Sequence, residues 1–214
     1  MDVGALYTLG FLAPMILLAL TVHEFAHAWT ARLFGDPTAE ELGRVSLNPL
    51  VHLDLMGTVA FFVCGFGWAK PVPYDRGNLV AAHPRWARWT ELAVAAAGPI
   101  SNLLLAGLLR LVLAGALAVS VHLPPEILPV LSRMMFTGVS INAGLFLFNL
   151  LPIHPLDGFT VLRNALPLGA AVRFQATQAY GSFMLLALLL LSRFGDFSLV
   201  GPARDFLLDH VYFF

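Results

Sequence analysis

The stretch Thr21-Val22-His23-Glu24-Phe25-Ala26-His27-Ala28-Trp29 carries an HExxH pentad inside a long apolar run. On a helix, two histidines four residues apart lie about one turn apart on nearly the same face. Both imidazoles can therefore bind one tetrahedral metal ion, and Glu24 can take a proton from an attacking water. Glu24 is the only charged residue between Gly4 and Ala31, which indicates that the pentad lies in a membrane-spanning helix.

The composition excludes an ordinary soluble domain. Of the 214 residues, 58% are hydrophobic and 12% are charged, whereas soluble domains are about half apolar and a quarter charged. The mean hydropathy is +0.79. The net charge of -1 gives no reason to expect nucleic acid as a partner, and the single cysteine excludes an intrachain disulfide and a cysteine-rich zinc site. A polytopic protein of the lipid bilayer is the class that this composition favours.

Four apolar stretches are long enough to cross a membrane as helices, and they lie at about residues 5–34, 92–121, 134–153 and 174–192. Residues 55–69 form a shorter stretch and favour a re-entrant segment or a β-hairpin, which would pair with an extended substrate as an added strand. The tail, residues 197–214, is typical of a helix lying in the membrane interface. The sequence thus predicts an all-α polytopic membrane protein with a single domain over residues 1–214.

The basic residues predict how the chain is oriented. If residues 32–90 and 154–173 share one side of the membrane, they hold eight of the twelve lysines and arginines: Arg32, Arg44, Lys70, Arg76, Arg85, Arg88, Arg163 and Arg173. The other side then holds three, and Arg110 lies inside a span. Because cytoplasmic loops carry the excess of positive charge, we expect a cell-membrane protein with its N-terminus outside and its active site towards the cytoplasmic side.

The pentad supplies two metal ligands and a base, so a third protein ligand has to come from elsewhere. The candidates on the same side are His52, Asp54, Asp75, His83, His154 and Asp157. The segment NLLPIHPLDG, residues 149–158, favours Asp157, because two prolines unwind the end of the third span and present this carboxylate at the depth of the pentad. The alternative is that Asp157 caps the helix that follows it.

The two motifs together resemble the site-2 protease family of intramembrane zinc metalloproteases, which combine HExxH in one span with a later LDG segment. The resemblance covers most of the chain, including GDPTA at 35–39, GRVSLNPLVH at 43–52, FGWAKPVP at 66–73 and AGPISN at 97–102. The chain looks like the compact prokaryotic branch without a PDZ domain. One departure is His154, where the family usually has proline.

The resemblance implies one Zn²⁺ per chain. It implies that His23, His27 and Asp157 are the zinc ligands and that Glu24 activates the attacking water. Asn102 and Asn149 match polar positions beside the substrate or the metal, where a side-chain amide can donate to the oxyanion. The alternative role for both asparagines is hydrogen bonding between helices.

The activity that the resemblance implies is zinc-dependent hydrolysis of peptide bonds in or near membrane-spanning segments of substrate proteins. A metal-ion transporter or metal sensor is the alternative, because histidine and aspartate inside membranes also line ion paths. A transporter is expected to repeat such ligands along several spans, whereas here the polar groups gather at one depth. A non-catalytic scaffold would need a lost ligand or base, and none is lost.

Overall fold

A computed structural model describes residues 3–64, 67–120, 124–194 and 201–209 of the chain. The helices within these residues are α1 (Val3–Leu33), α2 (Thr38–Glu41), α3 (Leu55–Cys64), α4 (Arg76–Ala82), α5 (Ala87–Ala118), α6 (Ile127–Asn149), α7 (Asp157–Ala165), α8 (Leu168–Gln175), α9 (Gln178–Phe194) and α10 (Gly201–Leu207). No β-strand occurs in the described ranges. The predicted fold class, an all-α polytopic membrane protein, is confirmed.

Within the described residues, three helices are long and apolar enough to span a membrane: Gly10–Leu33 within α1, α5 and α6. The pair α8 and α9, bent by 60°, passes the same test as one broken span. These helices lie near the predicted spans, but α5 begins at Ala87 and not at residue 92. Hydropathy locates the apolar part of a helix, whereas the polar first turns of α5, with Arg88 and Glu91, continue the same helix beyond that part.

The centre of the molecule is the packing of α1, α5 and α6. A buried cluster joins Leu105, Leu109 and Leu113 of α5 to Met135 and Val139 of α6. Small residues allow the helices to approach closely, and a Cβ on Gly138 would lie 2.7 Å from a Leu109 methyl carbon and 2.9 Å from the sulfur of Met15. Since lipid is as apolar as these side chains, such close packing is what holds spanning helices together. It fixes the pentad of α1 against α5.

The stretch at 55–69 was predicted to be a re-entrant segment or a β-hairpin, and its first ten residues form a helix. Residues 55–64 form α3, and the only pairing found nearby in the described residues is one antiparallel bridge between Leu53 and Ala69. The helix forms in spite of its β-branched residues because Asp54 caps it, with the Gly57 N–H donating to Asp54 Oδ1 at 2.7 Å. A β-hairpin at 55–64 is therefore not present, and an added substrate strand has no edge there to pair with.

The tail forms α10, and Leu208, which follows it, packs into the cluster between α5 and α6. Part of the predicted interfacial tail thus lies against the helix bundle. Residues 195–200 and 210–214 of that tail lie outside the described residues, and its place in the membrane interface stays a prediction.

Asp36 joins the end of α1 to the start of α4. Gly35, with φ of +88°, ends α1. The fully buried Asp36 carboxylate then accepts hydrogen bonds from Thr38 N (3.1 Å) and Oγ1 (2.6 Å), from Asp75 N (2.6 Å) and from Asn78 Nδ2 (2.9 Å). These hydrogen bonds hold the segment before α4 beside the pentad helix.

Candidate metal centre

The pentad and the segment before α7 meet at one point. His23 and His27 bring their Nε2 atoms to 3.0 Å from each other. Asp157, in the first turn of α7, places Oδ2 at 3.2 Å from His23 Nε2 and 3.3 Å from His27 Nε2. Among the described residues, these three are the set whose donor atoms converge closely enough for one metal ion. Although 130 residues separate His27 from Asp157, the fold joins the two motifs in one buried centre.

The orientation of His27 follows from a backbone carbonyl. His27 Nδ1 lies 2.7 Å from Val94 O, and because a carbonyl only accepts, Nδ1 carries the proton in the neutral ring. The lone pair of Nε2 therefore faces the centre.

The orientation of His23 follows from a chain of two buried asparagines. Asn142 Nδ2 donates to Gly138 O (2.8 Å) and Asn102 Nδ2 donates to Ala19 O (3.2 Å), and these two carbonyls fix which end of each amide is the oxygen. Asn102 Nδ2 also donates to Asn142 Oδ1 at 2.8 Å. Asn102 Oδ1, 2.7 Å from His23 Nδ1, must therefore accept the proton of that nitrogen. The lone pair of His23 Nε2 again faces the centre.

Three lone-pair donors that face each other at this spacing fit zinc. With zinc–nitrogen bonds of about 2.0–2.1 Å, the ligand atoms of a tetrahedral site lie about 3.3 Å apart, close to the observed 3.0–3.3 Å. Asp157 Oδ2 is buried and has no hydrogen-bond partner among the described residues. Space for an ion comes from Gly98, where a Cβ would lie 2.2 Å from His27 Nε2 and 2.7 Å from His23 Nε2.

Asp157 does not cap the helix, which was the alternative role. It lies in the first turn of α7, after the N-cap residue Leu156, and among the described residues its Oδ2 accepts no hydrogen bond. Gly158 explains why the chain can turn so tightly there, because a Cβ at this position would lie 2.3 Å from Leu150 O and 2.5 Å from Leu151 O. The backbone thus packs directly against the end of α6 and brings Asp157 to the pentad.

Glu24 is buried beside the two histidines, with 8% of its surface exposed. Its Oε2 accepts a hydrogen bond from Val72 N at 3.1 Å. Val72 belongs to a segment without regular secondary structure, residues 70–74 (KPVPY), which we call the strap. Among the described residues, Glu24 Oε1 accepts no hydrogen bond, so one carboxylate oxygen is held and the other remains available for proton transfer.

The two asparagines expected near substrate have different surroundings. Both amide hydrogens of the fully buried Asn102 are donated, to Ala19 O and to Asn142 Oδ1, so in this arrangement Asn102 orients His23 and has no donor left for an oxyanion. Asn149 is half-buried, and its Nδ2 donates to Leu145 O of its own helix at 3.1 Å, which leaves one amide hydrogen.

The other candidates for the third ligand have separate contacts. Asp54 and Asp75 cap α3 and α4. His83 packs edge-on against Phe34, and His154 packs edge-on against Phe159. His52 lies 2.8 Å from Ser46 O through Nε2. None of them joins the metal group in the part of the chain that the structure describes.

Three residues of the site are absent from the sequence prediction. Asn142 is a polar residue inside a predicted span, and that alone marks it as a residue in contact with other helices. Gly98 lies in the AGPISN segment, but its closeness to both imidazoles requires the fold. Val94 acts through its backbone, so no side-chain pattern could have indicated it.

The helix that carries Asp157 is held from α5 by charged groups. Glu91, 3% exposed, accepts from Arg163 Nη2 of α7 and lies 3.3 Å from Arg76 Nε. Arg88 Nη2 donates to the carbonyls of Arg163, Asn164 and Leu166 at the end of α7. Side chains at the start of α5 therefore bind both a side chain of α7 and the backbone carbonyls at the end of α7.

Bacterial proteins resemble this chain in sequence. YwhC of Bacillus subtilis, named as a candidate zinc metalloprotease, is 35% identical over 201 residues, which cover 92% of this chain and 89% of YwhC. Rip2 of Mycolicibacterium smegmatis, with the same description, is 30% identical over 81% of this chain and 64% of Rip2. Rip2 of Mycobacterium tuberculosis is 34% identical over 68% of this chain and 53% of its own length. No family model matches, and no solved structure gives a significant match.

The likeness to YwhC extends over nearly the whole of both chains, well beyond the pentad. Two imidazoles and one carboxylate are a ligand set of zinc hydrolases, so Zn²⁺ is the metal cofactor that the relatives and the centre both imply. Sequence likeness, spanning helices and ligand set agree, and the chain belongs to the site-2 protease family of zinc metalloproteases.

Proposed function

We propose that this protein is an intramembrane endopeptidase that hydrolyses peptide bonds in or near the membrane-spanning segments of other proteins. The observation that carries this proposal is the position of the centre within a helix apolar enough to span a membrane. His27 lies six residues before the end of α1 at Leu33, or about 9 Å at 1.5 Å per residue. A peptide bond brought to this centre lies below the membrane surface.

Zinc supplies Lewis acidity when it is bound: it lowers the pKa of a water towards about 7 and polarises a carbonyl. The chain's own residues do the rest. His23, His27 and Asp157 hold the ion, and their hydrogen bonds to Asn102 and Val94 O keep the imidazoles in the ligating tautomer.

Glu24 moves the proton. It takes a proton from the attacking water and later gives it to the departing amine nitrogen, so that hydrolysis ends with the carboxylate restored. Burial with one oxygen fixed by Val72 N–H limits the carboxylate to one orientation. Asn149, whose second amide hydrogen has no acceptor among the described residues, is our candidate donor to the oxyanion, while Asn102 is a positioning residue for His23.

The substrate is proposed to be a membrane protein whose spanning segment loses its helix locally, since an intact helix keeps its carbonyls in internal hydrogen bonds. We propose the orientation that the basic residues indicate, with residues 32–90 and 154–173 on the cytoplasmic side and the N-terminus outside. The transporter alternative is not favoured, because the metal donors of the described residues gather in one group.

The proposal is tested in lipid vesicles that contain the zinc-loaded protein and a single-span substrate, with the products identified by mass spectrometry. We expect new termini inside or within a few residues of the apolar segment of the substrate. A polar, unfolded peptide added outside the vesicles is the matched control and should stay intact. Cleavage of the control alone would contradict intramembrane proteolysis, and zinc flux across the vesicles without any cleavage would favour the transporter.

A further inference from the structure

The strap presents a single hydrogen-bond donor to the proposed base. Val72 N–H donates to Glu24 Oε2 at 3.1 Å. Pro71 and Pro73, on either side, have no N–H. From Pro71 to Pro73, Val72 therefore supplies the one backbone N–H that can donate to the Glu24 carboxylate. Whether this hydrogen bond forms depends on where the strap lies.

The strap is anchored two residues before Val72. Arg44 Nη2 donates to Lys70 O, and Lys70 N donates to His52 O at 2.8 Å. Both backbone polar groups of Lys70 are thus paired with the segment that follows α2. Arg44 is almost fully buried, with 4% of its surface exposed, and it reaches the strap from inside the fold.

His52 in turn orients Arg44. His52 Nε2 lies 2.8 Å from Ser46 O and must carry the proton, because a carbonyl only accepts. His52 Nδ1 then has a lone pair, which faces Arg44 Nη2 at 3.4 Å. His52 is 1% exposed. Arg44 and His52, which both lie in the GRVSLNPLVH segment, therefore form one buried support for the strap.

We propose that Arg44 is a positioning residue of the hydrolysis, which holds the strap so that Val72 N–H fixes the Glu24 carboxylate for proton transfer. The inference deepens the proposed function and rests on it, since the proposed function makes Glu24 the proton carrier. Arg44 acts through Lys70 and Val72 and touches neither the metal ligands nor the peptide bond that is cleaved.

The electrostatics of Arg44 agree with this role. Burial lowers the pKa of Arg44, and the negative charge of Glu24 opposes that shift. No ion pair joins Arg44 to a carboxylate in the described residues, so Glu24 is the acidic group that stabilises this buried cation at a distance. A neutral side chain at position 44 would lose both the attraction and the hydrogen bond to the strap.

The first test is the rate of cleavage by the zinc-loaded full chain with the single-span substrate. Arg44→Met should lower kcat about tenfold or more, with KM and zinc content unchanged, because a hydrogen bond to a charged group is worth about 10- to 100-fold in rate. Arg44→Lys keeps a donor for Lys70 O and should recover most of kcat. Arg32→Met is the matched control, since Arg32 is exposed and pairs with Glu40 on the surface.

The second test removes the donor itself. Val72→Pro deletes the N–H that Glu24 accepts, and Val72→Ala, which keeps it, is the reference for the change in side chain. We expect kcat of Val72→Pro to fall about 10- to 100-fold below that of Val72→Ala. If Arg44 acts through this bond, Arg44→Met should cause almost no further loss of kcat in the Val72→Pro background. If the two residues act independently, the fold-losses in kcat of the two single variants should multiply in the double variant.

The third test does not need activity. Residues 70–73 contain only two exchangeable amides, at Lys70 and Val72, and both are hydrogen-bonded. Hydrogen exchange of the peptide that contains them should be slow in the wild type and in Arg44→Lys and clearly faster in Arg44→Met. Equal exchange in wild type and Arg44→Met, or unchanged kcat in Arg44→Met, would overturn the role of Arg44. Absence of cleavage by the wild type would instead contradict the proposed function, while exchange would still decide the anchoring of the strap.

Discussion

At the scale of single residues, the metal centre depends on groups that orient its ligands. The neutral histidine can carry its proton on either nitrogen, and here the carbonyls of Val94, Ala19 and Gly138 decide the choice, directly for His27 and through two asparagines for His23. A ligand whose lone pair already faces the centre loses little freedom when the ion binds. We therefore expect the asparagine chain to contribute to zinc affinity without touching the ion.

The asparagine chain can be tested through Asn102. Asn102→Ala leaves His23 Nδ1 and Asn142 without their partner, and we expect zinc affinity to fall about 10- to 100-fold, as for other groups that support a metal ligand. Competition with a zinc chelator measures the change. Asn149→Ala, which removes only a bond to Leu145 O of the same helix, should bind zinc as the wild type does. Equal zinc affinity in both variants would contradict the orienting role of Asn102.

Gly98 should be required because a side chain there would occupy the position of the ion. A Cβ on Gly98 would lie within 2.7 Å of both Nε2 atoms, so Gly98→Ala should reduce zinc affinity by more than the roughly 10- to 100-fold expected for a supporting group. Zinc content after dialysis gives the measurement. Gly107→Ala is the control, since Gly107 lies on the same helix and a Cβ there would have no neighbour within 4 Å. Full zinc content in Gly98→Ala would show that the centre is wider than the structure indicates.

Asp36 should make the stability of the fold depend on pH. Burial raises the pKa of Asp36, but hydrogen bonds from Asn78, Thr38 and the Asp75 amide outweigh burial, so the pKa lies below its usual value of 3.8. Since the folded pKa is lowered, the carboxylate stabilises the fold fully above the ordinary value, and this contribution is lost as pH falls through the lowered one. The stability difference between wild type and Asp36→Asn, from unfolding in mixed micelles, should be largest near pH 7 and shrink below about pH 4. A stability difference between the two proteins that stays constant with pH would contradict this role of the Asp36 carboxylate.

At the scale of elements, α7 matters because it carries Asp157, and α5 decides where α7 lies. Glu91 of α5 is buried and faces Arg163 of α7, while Arg88 donates to the carbonyls at the end of α7. Removal of one partner from a buried ion pair is costly, because it leaves an uncompensated charge. Asp157, the proposed third zinc ligand, is thus positioned by charges more than one helical turn away from it.

Replacing Glu91 with glutamine should destabilise the protein by about 3 kcal/mol, because Arg163 is left without a counter-charge. Unfolding in mixed micelles measures the change, and zinc affinity should fall as well, since α7 loses its anchor. Glu40→Gln is the matched control: Glu40 pairs with Arg32 at 3.0 Å, but both are exposed, and such pairs contribute less than about 1 kcal/mol. Similar stability of the two variants would contradict the anchoring role of Glu91.

The spanning helices were predictable, whereas the short elements were less so. Long apolar runs with few charges leave few alternatives in a membrane, so α1, α5 and α6 follow from hydropathy. The 55–69 stretch has a composition that suits helix or strand, and a local cap at Asp54 decided for helix. The strap contains no periodic pattern, and its place over Glu24 depends on Arg44 and Lys70, which come together only in the folded chain.

At the scale of the whole molecule, the site consists of two halves that lie far apart in the sequence. HExxH and LDG each predict a part of it, and the geometry expected for their meeting agrees with the observed 3.0–3.3 Å between donor atoms. The supporting shell was not predictable to the same degree, because Val94 acts by its backbone and Gly98 by the absence of a side chain. Sequence reasoning finds the groups that do chemistry, and the fold supplies those that orient them.

The most direct test of intramembrane proteolysis by Glu24 compares the wild type with Glu24→Gln in the same vesicles. Both proteins should hold equal zinc, because none of the three ligands changes. The rate of cleavage of a single-span substrate should fall by at least about 100-fold in Glu24→Gln, in the range that general acid–base catalysis supplies. Equal cleavage by the two zinc-loaded proteins would contradict the account.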